Sequence, residues 1–215
     1  MFAGAASFDF PLPFDTSKAT TLQGMFSGAR NFKQSLPWTT SSVEDMDELF
    51  LETTHNFDLS FWSTQSLTSM RLMFASNKVF NSPLDNFNTS NVVNMAGAFL
   101  NAISFNQSLQ SFDTAKVTDM RSLFFNATVY EETLCWELNN NLQVDDMFCG
   151  SLAGFDPSCV RLIGLVEKTL ADCGKFSDEE TVEKSGAPVS ARSWITALCL
   201  LWGVGLLQQA VSKFG

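Results

Sequence analysis

A short apolar pattern recurs along the first 150 residues and constrains the fold more than any other feature of the chain. Aligned on its last Phe, it gives seven copies at intervals of 24, 24, 24, 25, 25 and 24 residues: Phe2, Phe26, Phe50, Phe74, Phe99, Phe124 and Phe148. A second aromatic residue keeps the same period: Phe14, Trp38, Trp62, Phe87, Phe112 and Trp136. Such self-similarity is the signature of a solenoid, in which units too small to bury their own apolar face stack on one another.

Within each copy the apolar spacing fits one face of a helix. Val117, Met120, Leu123, Phe124 and Ala127 stand at offsets of 0, 3, 6, 7 and 10 residues, which predicts a helix of about three turns in each unit. A Thr precedes the first apolar position by three residues in five units, which predicts a hydroxyl cap for each helix. These are Thr16, Thr40, Thr64, Thr89 and Thr114.

A polar turn and a short extended segment follow each copy, as in residues 80–87 and 105–112. One brief strand per unit, always reached through a helix, would pair in parallel with its neighbour. The sequence therefore predicts an α/β solenoid over residues 1–150, with one short parallel strand and one helix in each coil of 24–25 residues.

The residues also carry a family resemblance. The run Phe105-Asn106-Gln107-Ser108-Leu109, with Phe112-Asp113-Thr114, Val117-Thr118-Asp119-Met120 and Leu123-Phe124-Phe125-Asn126-Ala127, resembles the repeat of BspA-type leucine-rich-repeat surface proteins. The resemblance covers residues 1 to about 150. It implies a leucine-rich-repeat-like fold, a place on the cell surface, and a role in binding or adhesion without catalytic residues.

Both ends of the repeat region depart from its middle. Residues 1–5 match residues 25–29, which predicts that the chain begins inside a longer, N-terminally truncated repeat array. In the last unit Leu138 stands where the others have Thr, and Val144 replaces Met, which predicts a terminal coil.

Four cysteines follow a long stretch without any: Cys135, Cys149, Cys159 and Cys173. They predict disulfides that lock a cap at residues 151–173, with three pairings open; the alternative is four buried thiols in a reducing compartment. Within this cap, residues 158–172 have the spacing of an amphipathic helix.

Beyond the cap, residues 174–193 read as a polar linker and residues 194–211 as an apolar helix. A membrane-spanning segment is the favoured interpretation of this helix, with Trp at the interface. The alternatives are an apolar helix packed on the cap and a lipid-anchor signal.

The composition excludes some partners. A formal net charge of −10 and a pI near 4.4 argue against nucleic acid, because no basic stripe is available to displace counterions. The single histidine, His55, lies where the spacing from Phe50 to Phe57 is one residue longer than in the other units, and we interpret it as a solvated or hydrogen-bonded structural residue. The sequence predicts no metal site and no cofactor.

These patterns favour a surface-displayed, non-catalytic module that binds a protein or a cell-surface glycan and attaches to the membrane through its C-terminal segment. Candidate binding residues are the polar side chains that vary between copies: Gln34, Ser35, Asp85, Asn86, Gln107, Ser108, Gln110 and Ser111. Asn88, Asn106 and Asn126 open glycosylation sequons.

Two other functions compete with this interpretation. One is a self-associating coat or matrix protein, with the Thr row as part of a regular surface. The least favoured is a carbohydrate-active enzyme using paired carboxylates, Asp85 with Asp113 or Asp9 with Asp15.

Overall fold

The computed structural model describes residues 1–136, 138–139 and 141–155. The chain winds in stacked coils, and single parallel bridges join equivalent positions of successive coils. The bridges link Thr21 to Asp45, Asp45 to Ser69, Ser69 to Asn94, Asn94 to Asp119, and Asp119 to Gln143. Two short strands, β1 (Thr133–Leu134) and β2 (Gly154–Phe155), pair in parallel near the end of the described chain.

The segment that the sequence predicts as a helix is a run of consecutive β-turns in every coil. The runs are residues 22–29, 46–53, 70–77, 95–102, 120–127 and 144–151, and we refer to them as turn runs. Their fourth, sixth and eighth N–H groups each donate to the carbonyl three residues earlier. In the first run these bonds measure 3.1, 3.2 and 2.9 Å. Such bonds close β-turns rather than helical turns.

The other N–H groups of a turn run leave the coil. The first, third, fifth and seventh donate to carbonyls of the next coil: Leu22 to Asp45, Gly24 to Asp47, Phe26 to Leu49, and Gly28 to Leu51, at 2.8–3.1 Å. The second N–H bonds a polar side chain two residues earlier in most runs, as with Ala96 and the Asn94 amide at 2.9 Å. The backbone donors of the run are thereby paired both within the coil and along the stack.

Two residues in each run adopt a left-handed backbone. They are its third and seventh residues, with φ between 55° and 77°: Gly24 and Gly28, Glu48 and Glu52, Leu72 and Ser76, Gly97 and Asn101, Ser122 and Asn126, Asp146 and Gly150. A positive φ at the third position of a turn is the requirement of a type II turn. For a side chain such as that of Leu72 this backbone costs about 1–2 kcal/mol, which the bonds to the neighbouring coils offset.

The prediction of one helix and one strand per coil is therefore wrong. The described residues contain no helix, and β1 and β2 are their only strands longer than a single bridge. Leu22, Met25, Phe26 and Ala29 are buried at helical spacing, but successive turns bury the same positions. The distance between successive coils distinguishes stacked turns from stacked helices. Equivalent Phe rings of successive coils lie only 5.6–6.0 Å apart between centroids. Packed helices need about 8–10 Å.

The Thr residues do not cap helices. Their hydroxyls donate across the stack to carbonyls of the next coil: Thr16 to Thr39, Thr40 to Ser63, Thr64 to Asn88, and Thr89 to Asp113, at 2.9–3.1 Å. All five Thr residues of the row, including Thr114, are buried. The row therefore holds coils together and does not form part of the surface.

Aromatic columns fill the core. The seven Phe residues of the repeat stack face to face, and a second column beside them contains Phe8, Phe32, Phe57, Phe80, Phe105 and Tyr130. Within each coil the two rings lie 3.9–4.3 Å apart between centroids. A third column is formed by the second repeated aromatic residue of the sequence, which includes Trp38, Trp62 and Trp136. Their indole N–H groups donate to carbonyls of the preceding coil, as Trp62 does to Leu36 at 3.0 Å.

The predicted C-terminal parts lie almost entirely outside the described residues. These are the cap from residue 156 onward, the linker at 174–193 and the apolar segment at 194–211. The disulfides remain a prediction, because Cys159 and Cys173 fall in the same stretch. The part of the chain that the structure describes holds no helix able to span a bilayer.

We predict that the ring column carries a large share of the stability. Phe74 is fully buried between Phe50 and Phe99, so replacing it with alanine should lower the free energy of unfolding by about 3–5 kcal/mol. Phe61, which is 81% exposed, is the matched control, and its replacement should cost less than about 0.5 kcal/mol. Urea denaturation measures both, and equal losses would contradict the stacked core.

A second prediction concerns Tyr130, which occupies a position that is Phe in five other coils. Its hydroxyl is buried without a hydrogen-bond partner among the described residues, and burial followed by the Glu132 charge raises the pKa of the phenol well above its usual range. An unsatisfied buried donor costs about 1–3 kcal/mol, so Tyr130→Phe should stabilise the fold by about that amount.

The reverse change one coil earlier supplies the control. Phe105 stacks on Tyr130 and is equally buried, so Phe105→Tyr should lower the urea midpoint while Tyr130→Phe raises it. Loss of stability on Tyr130→Phe would show that the hydroxyl makes a favourable interaction.

Candidate binding surface

Polar side chains on the outer face join most successive coils through side-chain oxygens beside the second ring. Asn56 Oδ1 accepts from the Asn81 N–H at 2.8 Å, Asn81 Oδ1 from Asn106 at 2.9 Å, and Asn106 Oδ1 from Glu131 at 3.2 Å. Between the first two coils, Asp9 Oδ1 accepts in the same way from the Lys33 N–H at 3.0 Å. This amide ladder means that outer polar residues also serve as structure.

Four of the predicted binding residues belong to such inter-coil contacts. Gln34 Nε2 donates to Asp9 Oδ1 at 2.8 Å, Gln107 Nε2 to Asn81 Oδ1 at 3.0 Å, and Gln110 Nε2 to the Thr133 carbonyl. Asn86 Nδ2 donates to the Leu59 and Trp62 carbonyls at 3.1 and 3.0 Å. Their amides are therefore engaged with the neighbouring coil.

The other four are Ser35, Asp85, Ser108 and Ser111, and all are exposed. Among them, Ser108 Oγ accepts a 3.4 Å bond from the Gln110 N–H. The eight residues lie in three different coils, so the structure does not gather them into one pocket.

The three sequon asparagines differ in their surroundings. Asn88 is exposed, and its Oδ1 accepts from the N–H and hydroxyl of Ser90. Asn106 and Asn126 are half-buried and bond across coils, Asn126 Nδ2 to Asn101 Oδ1 at 2.9 Å. A glycan is carried on Nδ2, and in Asn106 and Asn126 this atom donates across coils, whereas the bonds of Asn88 are to Ser90 in its own turn.

Two of the four carboxylates proposed as acid and base, Asp15 and Asp113, serve local turns. Asp15 Oδ1 accepts from the Ser17 N–H at 3.0 Å, and Asp113 Oδ1 from the Ala115 N–H at 3.0 Å. Hydrogen bonds from the Ser17 hydroxyl and N–H hold the pKa of Asp15 below its usual range. Within the described ranges no group of three or more His, Cys, Asp or Glu side chains could hold a metal ion.

A shallow groove of about 340 Å³ crosses the first three coils. Ser7 and Asp9 come from the first coil, Arg30 to Lys33 from the second, and Thr54 and His55 from the third. The groove lies at the corner where the chain leaves the turn run and enters the second ring column.

A one-residue insertion shapes this corner. In the third coil three residues separate the end of the turn run at Thr53 from the second ring at Phe57, whereas in the second coil two residues separate Ala29 from Phe32. The ring pairs Phe50–Phe57 and Phe26–Phe32 both have 4.2 Å centroid distances, so the core absorbs none of the insertion. The extra residue is accommodated at the groove.

The inserted segment is held firmly. Asn77, fully buried in the next coil, donates to the His55 carbonyl at 3.0 Å and to the Thr53 hydroxyl at 2.9 Å. The Thr54 hydroxyl bonds to the Arg30 carbonyl, and the His55 ring lies edge-on to Phe57 at 4.9 Å. The backbone of His55 therefore has a structural role, because its carbonyl accepts a bond from Asn77, while its side chain lines the groove.

The charged side chains of the groove are paired but exposed. Lys33 Nζ lies 3.4 Å from Asp9 Oδ2, and Arg30 Nη2 lies 2.6 Å from Glu52 Oε2. The Arg30 and Lys33 side chains are 61% and 67% exposed. Hydrogen bonds, first from Gln34 and then from Lys33, keep the pKa of Asp9 below its usual range.

Sequence reasoning missed this groove as a site. The unequal spacing around the only histidine was the available signal. The groove itself depends on residues about 24 positions apart that meet only after the coils stack.

The coils define a class of repeat protein in which runs of β-turns stack through backbone hydrogen bonds around aromatic columns. A family model matches residues 1–58 and 51–156, and the chain belongs to the family described as "Mycoplasma protein of unknown function, DUF285". The two matched segments together cover the stacked coils. No curated protein and no solved structure matches the chain.

We predict that His55 titrates below its ordinary pKa of 6.5, because burial lowers the pKa more than the Asp9 charge raises it; Lys33 lowers it further. Asp9→Asn should lower the midpoint again, since asparagine keeps the acceptor oxygen and removes the charge. Asp58→Asn, whose carboxylate bonds the Ser60 N–H in its own turn, is the control and should leave the midpoint in place.

Proton NMR can follow this titration without assignment, because the chain has one imidazole. A midpoint at or above 6.5, or a rise on Asp9→Asn, would contradict the described surroundings of His55.

Proposed function

We propose that the chain is a surface-displayed, non-catalytic module for binding or adhesion, with a protein or a cell-surface glycan as its ligand. The observation that carries the proposal is the contrast between its inner and outer positions. The fifth residue of the turn run is Phe in every coil, whereas the residue just past the run differs in charge and polarity from coil to coil.

The variable corner residues are Ala6, Arg30, Thr54, Lys78, Ile103, Thr128 and Leu152, and all are exposed. Their backbone positions are equivalent, because each follows the left-handed seventh residue of its run by two places. A rigid core that presents a row of dissimilar side chains suits recognition of a large partner. The resemblance to BspA-type surface proteins supports the same function.

The chemistry of the carboxylates also supports a non-catalytic role. A general acid at neutral pH needs a raised pKa. Asp9, Asp15 and Asp58 have lowered values instead, because serine or glutamine side chains and backbone N–H groups stabilise their charged forms. A glycosidase using Asp9 with Asp15 is therefore the least favoured function.

A self-associating coat protein is the second candidate, and one specific observation favours it. Exposed apolar side chains occupy the same corner in four successive coils: Val79, Ile103, Val129 and Leu152, with exposures of 44, 36, 41 and 58%. A row of exposed apolar side chains on a repeat protein is a surface that a second copy could cover.

The location that we propose is the cell surface, with attachment through residues 194–211 and a disulfide-locked cap between the anchor and the coils. The anchor and most of the cap lie outside the described residues. The acidic composition and the cysteine cluster of the sequence support this location.

This proposal predicts that an epitope inserted beside Lys184 will be labelled on intact cells and will stay with the membrane during carbonate extraction. An epitope at the variable corner beside Lys78 is the matched control for access to the coils. Labelling only after permeabilisation, with the chain in the soluble fraction, would refute surface display.

Adhesion and self-association are then separated with the purified chain. Saturable binding to host cells at a concentration where light scattering reports a monomer supports the binding module. Growth of large particles with rising concentration, without cell binding, supports the coat.

A further inference from the structure

We propose that the groove across the first three coils binds the carboxylate-bearing sugars of a cell-surface glycan, with Arg30 and Lys33 as the groups that recognise the carboxylate. The inference rests on the proposed binding function and names its site and its ligand class.

The charged side chains of the groove lining support this proposal. The chain has a formal net charge of −10, yet the groove lining contains two permanent cations and one carboxylate. Arg30 pairs with Glu52 and Lys33 pairs with Asp9, so these four charged side chains sum to zero. The groove is therefore less acidic than the chain as a whole, and its two exposed cations are the groups that an anion would meet there.

The two cations keep capacity for a ligand. An exposed ion pair contributes about 0–1 kcal/mol, so Glu52 and Asp9 hold Arg30 and Lys33 only loosely. Arg30 uses one Nη2 contact with Glu52, and a guanidinium has five N–H donors. A planar carboxylate matches two of the remaining donors in a bidentate arrangement.

The shape and polarity of the groove favour a sugar over an acidic peptide. Its lining contains two aromatic side chains: Phe32 is fully buried in the core, and the His55 ring packs edge-on against Phe57. Peptide and protein partners gain most of their affinity from apolar and aromatic anchors in dry pockets, which this lining does not offer. Hydroxyl and amide groups of Ser7, Asn31 and Thr54 suit a ligand with many hydroxyls.

The volume fits a short ligand segment. About 340 Å³ lies near the lower end of the range of roughly 300–1,000 Å³ for small-molecule sites, and the groove is open along the stack.

The lining is fixed before the ligand arrives. Asn77 holds the His55 carbonyl, the Arg30 carbonyl holds the Thr54 hydroxyl, and Lys33 and Gln34 hold Asp9. Because these groups are already ordered, binding costs less conformational entropy.

The test measures binding of the full chain to a glycan array and then by calorimetry to uronate- and sialate-terminated oligosaccharides. Each is compared with its methyl ester, which removes the charge and keeps the sugar. We expect binding of the carboxylated form, weakening with salt, and at least a tenfold loss for the ester and for the Arg30→Gln, Lys33→Gln double variant.

The double variant Lys18→Gln, Lys116→Gln is the matched control. Both lysines are exposed, and both lie outside the groove and outside the row of variable corner residues. Binding should be unchanged in this variant, and urea midpoints of all variants should match the parent because the replaced side chains are exposed.

Four outcomes would overturn the inference: equal binding of ester and acid, binding that survives the Arg30→Gln, Lys33→Gln double variant, a preference for sulfated over carboxylated glycans, or binding of an acidic peptide alone. Adhesion to cells distinguishes failure of this site from failure of the proposed binding function. An Arg30→Gln, Lys33→Gln double variant that adheres like the parent leaves the binding module standing without this site, whereas a parent chain that adheres to nothing refutes the proposed function itself.

Discussion

The division of backbone hydrogen bonds between turn and neighbour is the constraint on which the rest of the structure depends. In each turn run the N–H groups alternate between a carbonyl three residues back and a carbonyl of the next coil. A helix would spend all of these groups inside its own segment. The alternation lets coils approach to ring-stacking distance, and it requires left-handed backbone at two fixed places in each run.

Once the coils are this close, side-chain contacts fix the register of each coil against the next. Phe rings stack at 5.6–6.0 Å, buried Thr hydroxyls bond to carbonyls of the next coil, and the amide ladder does the same on the outer face. These contacts leave the side chain just past each turn run exposed to solvent. A one-residue insertion at that corner produces a groove without disturbing the core, because the Phe50–Phe57 pair keeps the spacing of the other pairs.

The sequence supported a large part of this description. The period, the number of coils and the inward positions follow from the spacing of Phe26, Phe50 and Phe74, and each of these is buried. The secondary structure did not follow, because apolar residues at helical spacing also face inward in successive turns. A hint lay in the positions that need positive φ, where Gly24, Gly28 and Gly97 stand in runs that otherwise read as helical.

The sequence by itself determined that the chain is a stack of 24–25-residue units with an aromatic interior, because a repeated apolar pattern can be buried only against its own copies. Only the tertiary structure decided that the units are turns, that the Thr row lies inside, and that Asp9, Arg30, Lys33 and His55 line one groove. The physical reason is that hydrogen bonds to the next coil join residues about 24 positions apart. A local sequence pattern does not determine whether a backbone N–H bonds within its own segment or to the neighbouring coil.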